Sequence, residues 1–356
     1  MEPSQSTIDH KLKNVTLRDV ASRVGVSAMT VSRALSPKAH LVNSETARRC
    51  REAATEMGYI PNLMARGLRG EQLQTIVMLA EHISAHFYLA KLVDVVAREI
   101  ELRQFSVISC QSITSFHQAL RNFKLAGAVA IAPPEEFYVR PFGTTPVSSE
   151  TRASTVILHS AIEQDALNEV SPDIPGFSYM VAAHLLELGH KHLAYLGGPR
   201  SEEEPTWFDM RRRGINKAMV EHHVPNTNLH EQACADADIA PAALQQLLRR
   251  EPETTAVMCI NDEIAMAAIV GAQHMGLKVP RDLSIVGCND IKLARYFHPC
   301  ITTVAINIHT MVQTALDLLF DQINHRGAGG AKPVRITLPA ELIVRESTGP
   351  ARSRLL

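Results

Sequence analysis

The stretch VTLRDVASRVGVSAMTVSRAL, residues 15–35, decides the fold of the N-terminal part of the chain. Thr16 stands three residues before Asp19, the spacing of a helix N-cap and its reciprocal acidic partner, and Leu17, Val20, Ala21 and Val24 then share one helical face. Gly25 stops that helix, because a residue without Cβ tolerates the left-handed backbone of a tight turn. Val26 plugs the turn, Ser27 caps a second helix, and Val31, Ala34 and Leu35 face inward. Two short helices joined by a glycine-containing turn make a helix-turn-helix.

What the second helix leaves outside gives the motif its chemistry. Ala28, Met29, Ser32 and Arg33 are not required for packing, and they lie where major-groove readers carry base contacts. Arg33 is expected to fork onto guanine, and Met29 and Ala28 to meet a thymine methyl. The hydroxyls of Thr16, Ser27 and Thr30 suit phosphates. A third helix is expected from Asn43 or Ser44, with Ala47, Cys50, Ala54 and Met57 inward and Gly58 at its end. YIPNLMARGLRG, residues 59–70, then holds a helical pattern too short to stand alone in water, so it is expected to order only on binding.

Charge divides the chain at the same place. Residues 1–70 carry eleven Lys/Arg against six Asp/Glu, a net of +5, and the remainder carries 25 against 31, a net of −6. A basic head on an acidic body suits a domain that meets phosphates, joined to one that does not. The six cysteines show no CxxC pair, so reduced thiols are expected rather than disulfides or zinc, and no cofactor is expected. The N-terminal residues are polar, and no apolar run reaches membrane-spanning length; a cytoplasmic protein without membrane contact is expected.

From Thr75 onward strands and helices alternate. Apolar strands are expected at residues 75–80, 105–110, 128–132, 155–158, 192–196, 256–260 and 283–287. Helical periodicity appears at 89–100, 179–188, 212–219, 262–275 and 309–323. Alternation of this kind implies parallel sheets covered by helices, with ligands at the carboxyl ends of strands. Residues 133–154, rich in Pro, Ser and Thr, show no helical period.

The runs VTLRDVASRVGVS, TVSRAL, GYIPN and ARGLRG closely resemble the headpiece of the lactose-repressor family. HLLELGHKHLAYLGGP (184–199), NDEIAMAAIVGAQHMGLKVPRDLSIVGCND (261–290) and PCITTVAI (299–306) resemble its sensor domain, which is similar to periplasmic sugar-binding proteins. The resemblance implies an all-α helix-turn-helix headpiece at 14–60, a hinge helix at 61–70 and a two-lobed α/β sensor at 73–347. Lobe 1 would take about 73–171 and 305–327, and lobe 2 about 172–304 and 328–347.

It further implies that Leu68 wedges between base steps in the minor groove, beside Ala65, Arg66 and Arg69, although Gly67 stands where many relatives carry serine. In the cleft Arg211 would grip the effector, and Asp262 would form the pocket or cap the helix it opens. Asn289, His159 and Ile306 occupy positions where relatives often have aspartate, aspartate and glutamine. Fewer acceptors beside Arg211 favour a sugar acid over a neutral sugar. The implied partners are a near-palindromic double-stranded operator, a small-molecule effector and a second copy of the chain. A homodimer is expected because little sequence follows Arg345 to form a tetramerising helix.

An α/β enzyme, or a cytoplasmic ligand-binding protein without a DNA role, is the rival reading. GxSxG, GxxxxGK[ST], HExxH and a strand-linked GxGxxG are all lacking, and the headpiece fits neither rival.

Overall fold

The computed structural model describes residues 15–35, 37–59, 73–81, 86–139, 141–142, 154–160, 166–198, 207–325 and 332–352. Two compact units share the chain, Met1–Glu71 and Gln72–Leu356.

In the first unit α1 spans Leu17–Val24 and α2 spans Ala28–Ala34. The capping box at α1 is reciprocal: Thr16 Oγ1 accepts from the Asp19 N–H at 3.4 Å, and Asp19 Oδ2 accepts from the Thr16 N–H at 2.8 Å. Gly25 ends α1 at φ +77°. A 3-10 turn at Pro37–Leu41, absent from the sequence reading, leads to α3, Ser44–Glu56, capped by Asn43. Val20, Val31 and Cys50 are fully buried at the centre of the headpiece core, with Ala53 in the inward set where Met57 was expected and Met57 only half-buried. Arg49 reaches back from α3 to donate to the Val24 carbonyl at 3.0 Å, satisfying an acceptor that the end of α1 leaves open.

The second unit holds two parallel sheets. The first contains β1 (Thr75–Ala80), β2 (Ser106–Cys110), β3 (Gly127–Ile131), β4 (Thr155–Leu158), β5 (Asn168–Pro172) and β11 (Arg335–Leu338), ordered β11-β5-β4-β3-β1-β2. β1 reads TIVMLA with every side chain buried, the continuous apolar run of a strand covered on both faces. On one face α4 (Phe87–Leu102) and α11 (Ile308–Asn324) bury Leu92, Val96, Ile100, Leu316 and Leu319. On the other, α5 (Ile113–Asn122) and α6 (Glu135–Val139) bury Phe116 and Phe137. The helix α6 is a correction: within 133–154 no helix was expected, yet Phe137 is fully buried and anchors one short turn.

The second sheet orders β7 (Leu229–Ala233), β6 (Leu193–Gly197), β8 (Ala256–Cys259) and β9 (Ser284–Val286) as β7-β6-β8-β9. α7 (Ile174–Glu187) and α8 (Trp207–Glu221) cover one face, and α9 (Ala240–Arg250) and α10 (Asp262–His274) the other. At Gly214 the backbone of α8 lies so close to α7 that an added Cβ would sit 2.0 Å from the Pro175 carbonyl oxygen.

An antiparallel pair, β10 (Thr303–Ala305) and β12 (Glu341–Ile343), accompanies the crossings between lobes. Here the expected boundary is corrected. Residues 328–347 were assigned whole to lobe 2, but β11 pairs in parallel with β5 and extends the first sheet, so that segment divides between β11 and β12. Among the described residues no helix is long and apolar enough to cross a membrane.

Candidate DNA interface and ligand cleft

On α2 the expected base-reading residues divide by exposure. Met29 is 63% exposed and Arg33 is exposed, while Ser32 is half-buried. Ala28 is a correction: it is half-buried and packs against the headpiece core, so its methyl serves the fold. Of the expected phosphate contacts, Thr16 and Ser27 are exposed and Thr30 half-buried. Two of these hydroxyls also hold each other, Ser27 Oγ and Thr30 Oγ1 at 2.8 Å, at the positive end of the α2 dipole. Ala65, Arg66, Leu68 and Arg69 lie outside the described residues.

In the second unit four of the expected pocket residues, His159, Asp262, Asn289 and Ile306, follow strand ends, and Arg211 comes from a helix. His159 follows β4 in a left-handed conformation, φ +58°, and its Nδ1 lies 3.2 Å from the Tyr88 hydroxyl of α4. Burial and the nearby Arg211 charge push the His159 imidazole down to about 3, so it is neutral near pH 7. Arg211, on α8, donates through Nη2 to the Ile260 carbonyl at 3.1 Å and to Cys288 Sγ at 3.5 Å, and its guanidinium lies over the Phe177 ring at 5.1 Å. No carboxylate of the described residues stands within ion-pair distance of it.

Asn289 and Asp290 are both left-handed, at φ +99° and +45°, and form the bend after β9. Asn289 Oδ1 lies 3.6 Å from Cys288 Sγ, while Asp290 is tied to Arg345 at 2.6 Å. Ile306 is half-buried against the cores of both sheets. Asp262 is the second correction among the site residues. It is wholly buried, with Oδ1 accepting from Thr303 Oγ1 at 2.5 Å and Oδ2 from the Ile291 N–H at 2.8 Å, so both oxygens are spent inside the lobe. Asn261 caps α10 instead, its Oδ1 accepting from the Ile264 N–H at 2.8 Å.

Three residues were missed. Tyr88 orients His159, Cys288 supports Arg211, and Glu263 Oε1 accepts from the Phe87 N–H at 2.9 Å, capping α4 from α10 where His86 gives no side-chain cap. Cys288 sits just past β9, where strand ends in a parallel sheet carry ligand contacts, and that position was a usable signal. Tyr88 and Glu263 stand in ordinary helical sequence and gave none.

Residues 16–62 match the family model described as bacterial regulatory proteins, lacI family, and residues 182–348 match a periplasmic binding protein-like domain. The HTH-type transcriptional repressor PurR of Pectobacterium carotovorum subsp. carotovorum is 27% identical over 325 residues, covering 87% of this chain and 91% of that one. The repressor PurR of Escherichia fergusonii is 27% identical over 349 residues, covering 95% and 98%. Among solved structures, the lac repressor dimer bound to operator and the anti-inducer ONPF superposes at a TM-score of 0.77 with 24% identity, over 95% of this chain and all of that one. A complex of the transcriptional regulator CelR with cellobiose gives 0.67 at 24% identity, over 94% and 99%.

Proposed function

Because the chain belongs to the lacI family of bacterial regulatory proteins, we propose that it represses a catabolic operon as a homodimer and is released from its operator by a sugar acid held between its two lobes. It is a transcriptional repressor with a ligand-binding sensor domain, and not an enzyme. Two α2 helices enter successive major grooves of a near-palindromic operator, with Arg33, Met29 and Ser32 toward the bases and Thr16, Ser27 and Thr30 toward phosphates. The hinge, residues 61–70, folds in the minor groove between them, where Leu68 wedges between base steps beside Ala65, Arg66 and Arg69. Exposed apolar side chains on the sensor, Phe87 at 61% and Tyr296 at 71%, supply surface of the kind that a second copy buries.

Arg211 carries the reading of the effector. A partly sunk guanidinium with no carboxylate beside it, facing a neutral His159 and an Asn289 in place of acidic groups, favours a ligand that brings its own negative charge. The sugar part meets His159, Asn289 and Ile306, while Asp262 shapes the pocket from behind through Ile291 and Thr303. Thermal-shift screening of the full chain against sugar acids, their neutral parent sugars and nucleobases tests this, since a tight ligand raises stability with the logarithm of its concentration. The expected result is a rise with one sugar acid, reduced in Arg211→Gln, and release of operator by the same compound. A rise with neutral sugars or nucleobases alone overturns the ligand class.

A further inference from the structure

Beneath the guanidinium of Arg211 lies a cavity of about 10 Å³ within the second lobe, lined by Phe177, Ser178, Tyr195, Arg211, Met258 and Gly287 among others. Three of its lining residues present a solvent-shielded polar atom with no hydrogen-bond partner: Ser178 Oγ, Tyr195 Oη and Arg211 Nε. Ser178 is 4% and Tyr195 2% exposed, so water outside the protein does not satisfy them. Buried polar groups left unpaired are costly, and three in the lining of one small cavity mark a place built for an occupant.

The donor set identifies that occupant. Arg211 Nε–H can only donate, and burial pushes the Tyr195 phenol up to about 12, so its hydroxyl keeps its proton and donates. Ser178 can turn its hydroxyl the same way. The other partners of Arg211 are neutral: the Ile260 carbonyl, the Phe177 ring and the Cys288 sulfur. Burial holds the Cys288 and Cys259 thiols up, so neither lends a negative charge. A water would meet the hydrogen-bonding requirement and leave the half-buried cation, with its shielded Nε, unbalanced. A cavity of about 10 Å³ favours one compact, monatomic anion over the bulkier carboxylate, phosphate and sulfate.

We propose that the cavity beneath Arg211 is a halide site, in which chloride accepts hydrogen bonds from Arg211 Nε, Tyr195 Oη and Ser178 Oγ and fixes the guanidinium from below. The site belongs to one lobe and stands whatever the effector proves to be. Since Arg211 carries a single charge, chloride weakens the binding of an anionic effector on its other side.

The test is thermal unfolding of the full, DNA-free chain in potassium chloride, bromide or glutamate at equal ionic strength. The midpoint is expected to rise with the logarithm of chloride or bromide concentration and not with glutamate, and the response to flatten in Tyr195→Phe and in Ser178→Ala. Crystals of the unaltered chain grown in bromide are expected to show an anomalous peak among the three donors, which keeps the test open if a variant fails to fold. Equal midpoints in chloride and glutamate, a halide response undiminished in both variants, or a cavity without anomalous signal overturns the proposal. Each readout is taken without effector, so failure of the sugar-acid reading leaves it untouched.

Discussion

At the scale of single residues, the most informative side chain is Asp262, expected to form the pocket or cap the helix it opens, because the structure buries it wholly and gives the cap to Asn261. Its carboxylate joins Ile291, in the loop after β9, to Thr303 at the start of β10. Burial pushes its carboxyl from an ordinary value of 3.8 up to about 7, against the lowering effect of the Thr303 and Ile291 hydrogen bonds. Between those values the folded chain holds a proton that the unfolded chain has released, so the stability it contributes is complete below about pH 4 and is lost as pH rises through about 7. Asp262→Asn keeps the shape, accepts from the Ile291 N–H through its one carbonyl oxygen and donates to Thr303, and has no titration. Urea midpoints across that range are expected to fall with pH in the native chain and to stay more level in the variant. Parallel pH curves for the two would show that this carboxyl is not the source of the decline.

At the scale of elements, what was legible depended on whether apolar residues set the pattern. The headpiece helices announce themselves through Thr16, Gly25, Ser27, Asn43 and Gly58, each a terminus with its own backbone requirement, and the buried strands β1, β3 and β4 through unbroken apolar runs. β5 escaped because it reads NEVSP. Asn168 and Glu169 are nonetheless buried, since Asn168 Oδ1 accepts from the Val334 N–H at 2.9 Å and the Glu169 N–H donates to the Val334 carbonyl at 2.9 Å, a pairing visible only once β11 lies alongside. β7 escaped for the opposite reason: it is an edge strand whose side chains are half-exposed and carry no apolar run. The cleft residues shared that limit, because the contacts of Tyr88 and Glu263 link segments about 70 and 180 positions apart. Gly214 is the element-scale counterpart of Arg211, about one helical turn after it on α8. Gly214→Ala is expected to force α8 off α7, destabilise the chain by about 1–3 kcal/mol and displace Arg211, lowering effector response more than a surface Gly→Ala change elsewhere. Unchanged thermal midpoint and effector affinity would mean that the two helices yield without cost.

At the scale of the whole molecule, the division of charge sets how each function answers to salt. The +5 head meets a polyanion and releases its condensed counterions, so operator affinity should fall with the logarithm of salt at a slope of about −0.9 for every phosphate neutralised. A dimer making roughly six to ten such contacts loses about 10³–10⁵ in affinity between 50 and 200 mM. The sensor binds one small ligand through a guanidinium with Nε shielded from solvent and no condensed counterions to release, so its affinity should move far less over the same range. The series is best run in potassium glutamate, which keeps a halide effect at Arg211 from mixing with counterion release. Fluorescence anisotropy on an operator duplex, alongside calorimetry with the effector, on one preparation of the full chain, gives both slopes. A shallow operator slope would place the recognition energy in base contacts rather than in the basic head, and a steep effector slope would mean that the ligand meets an open, solvated charge instead of the sunken Arg211.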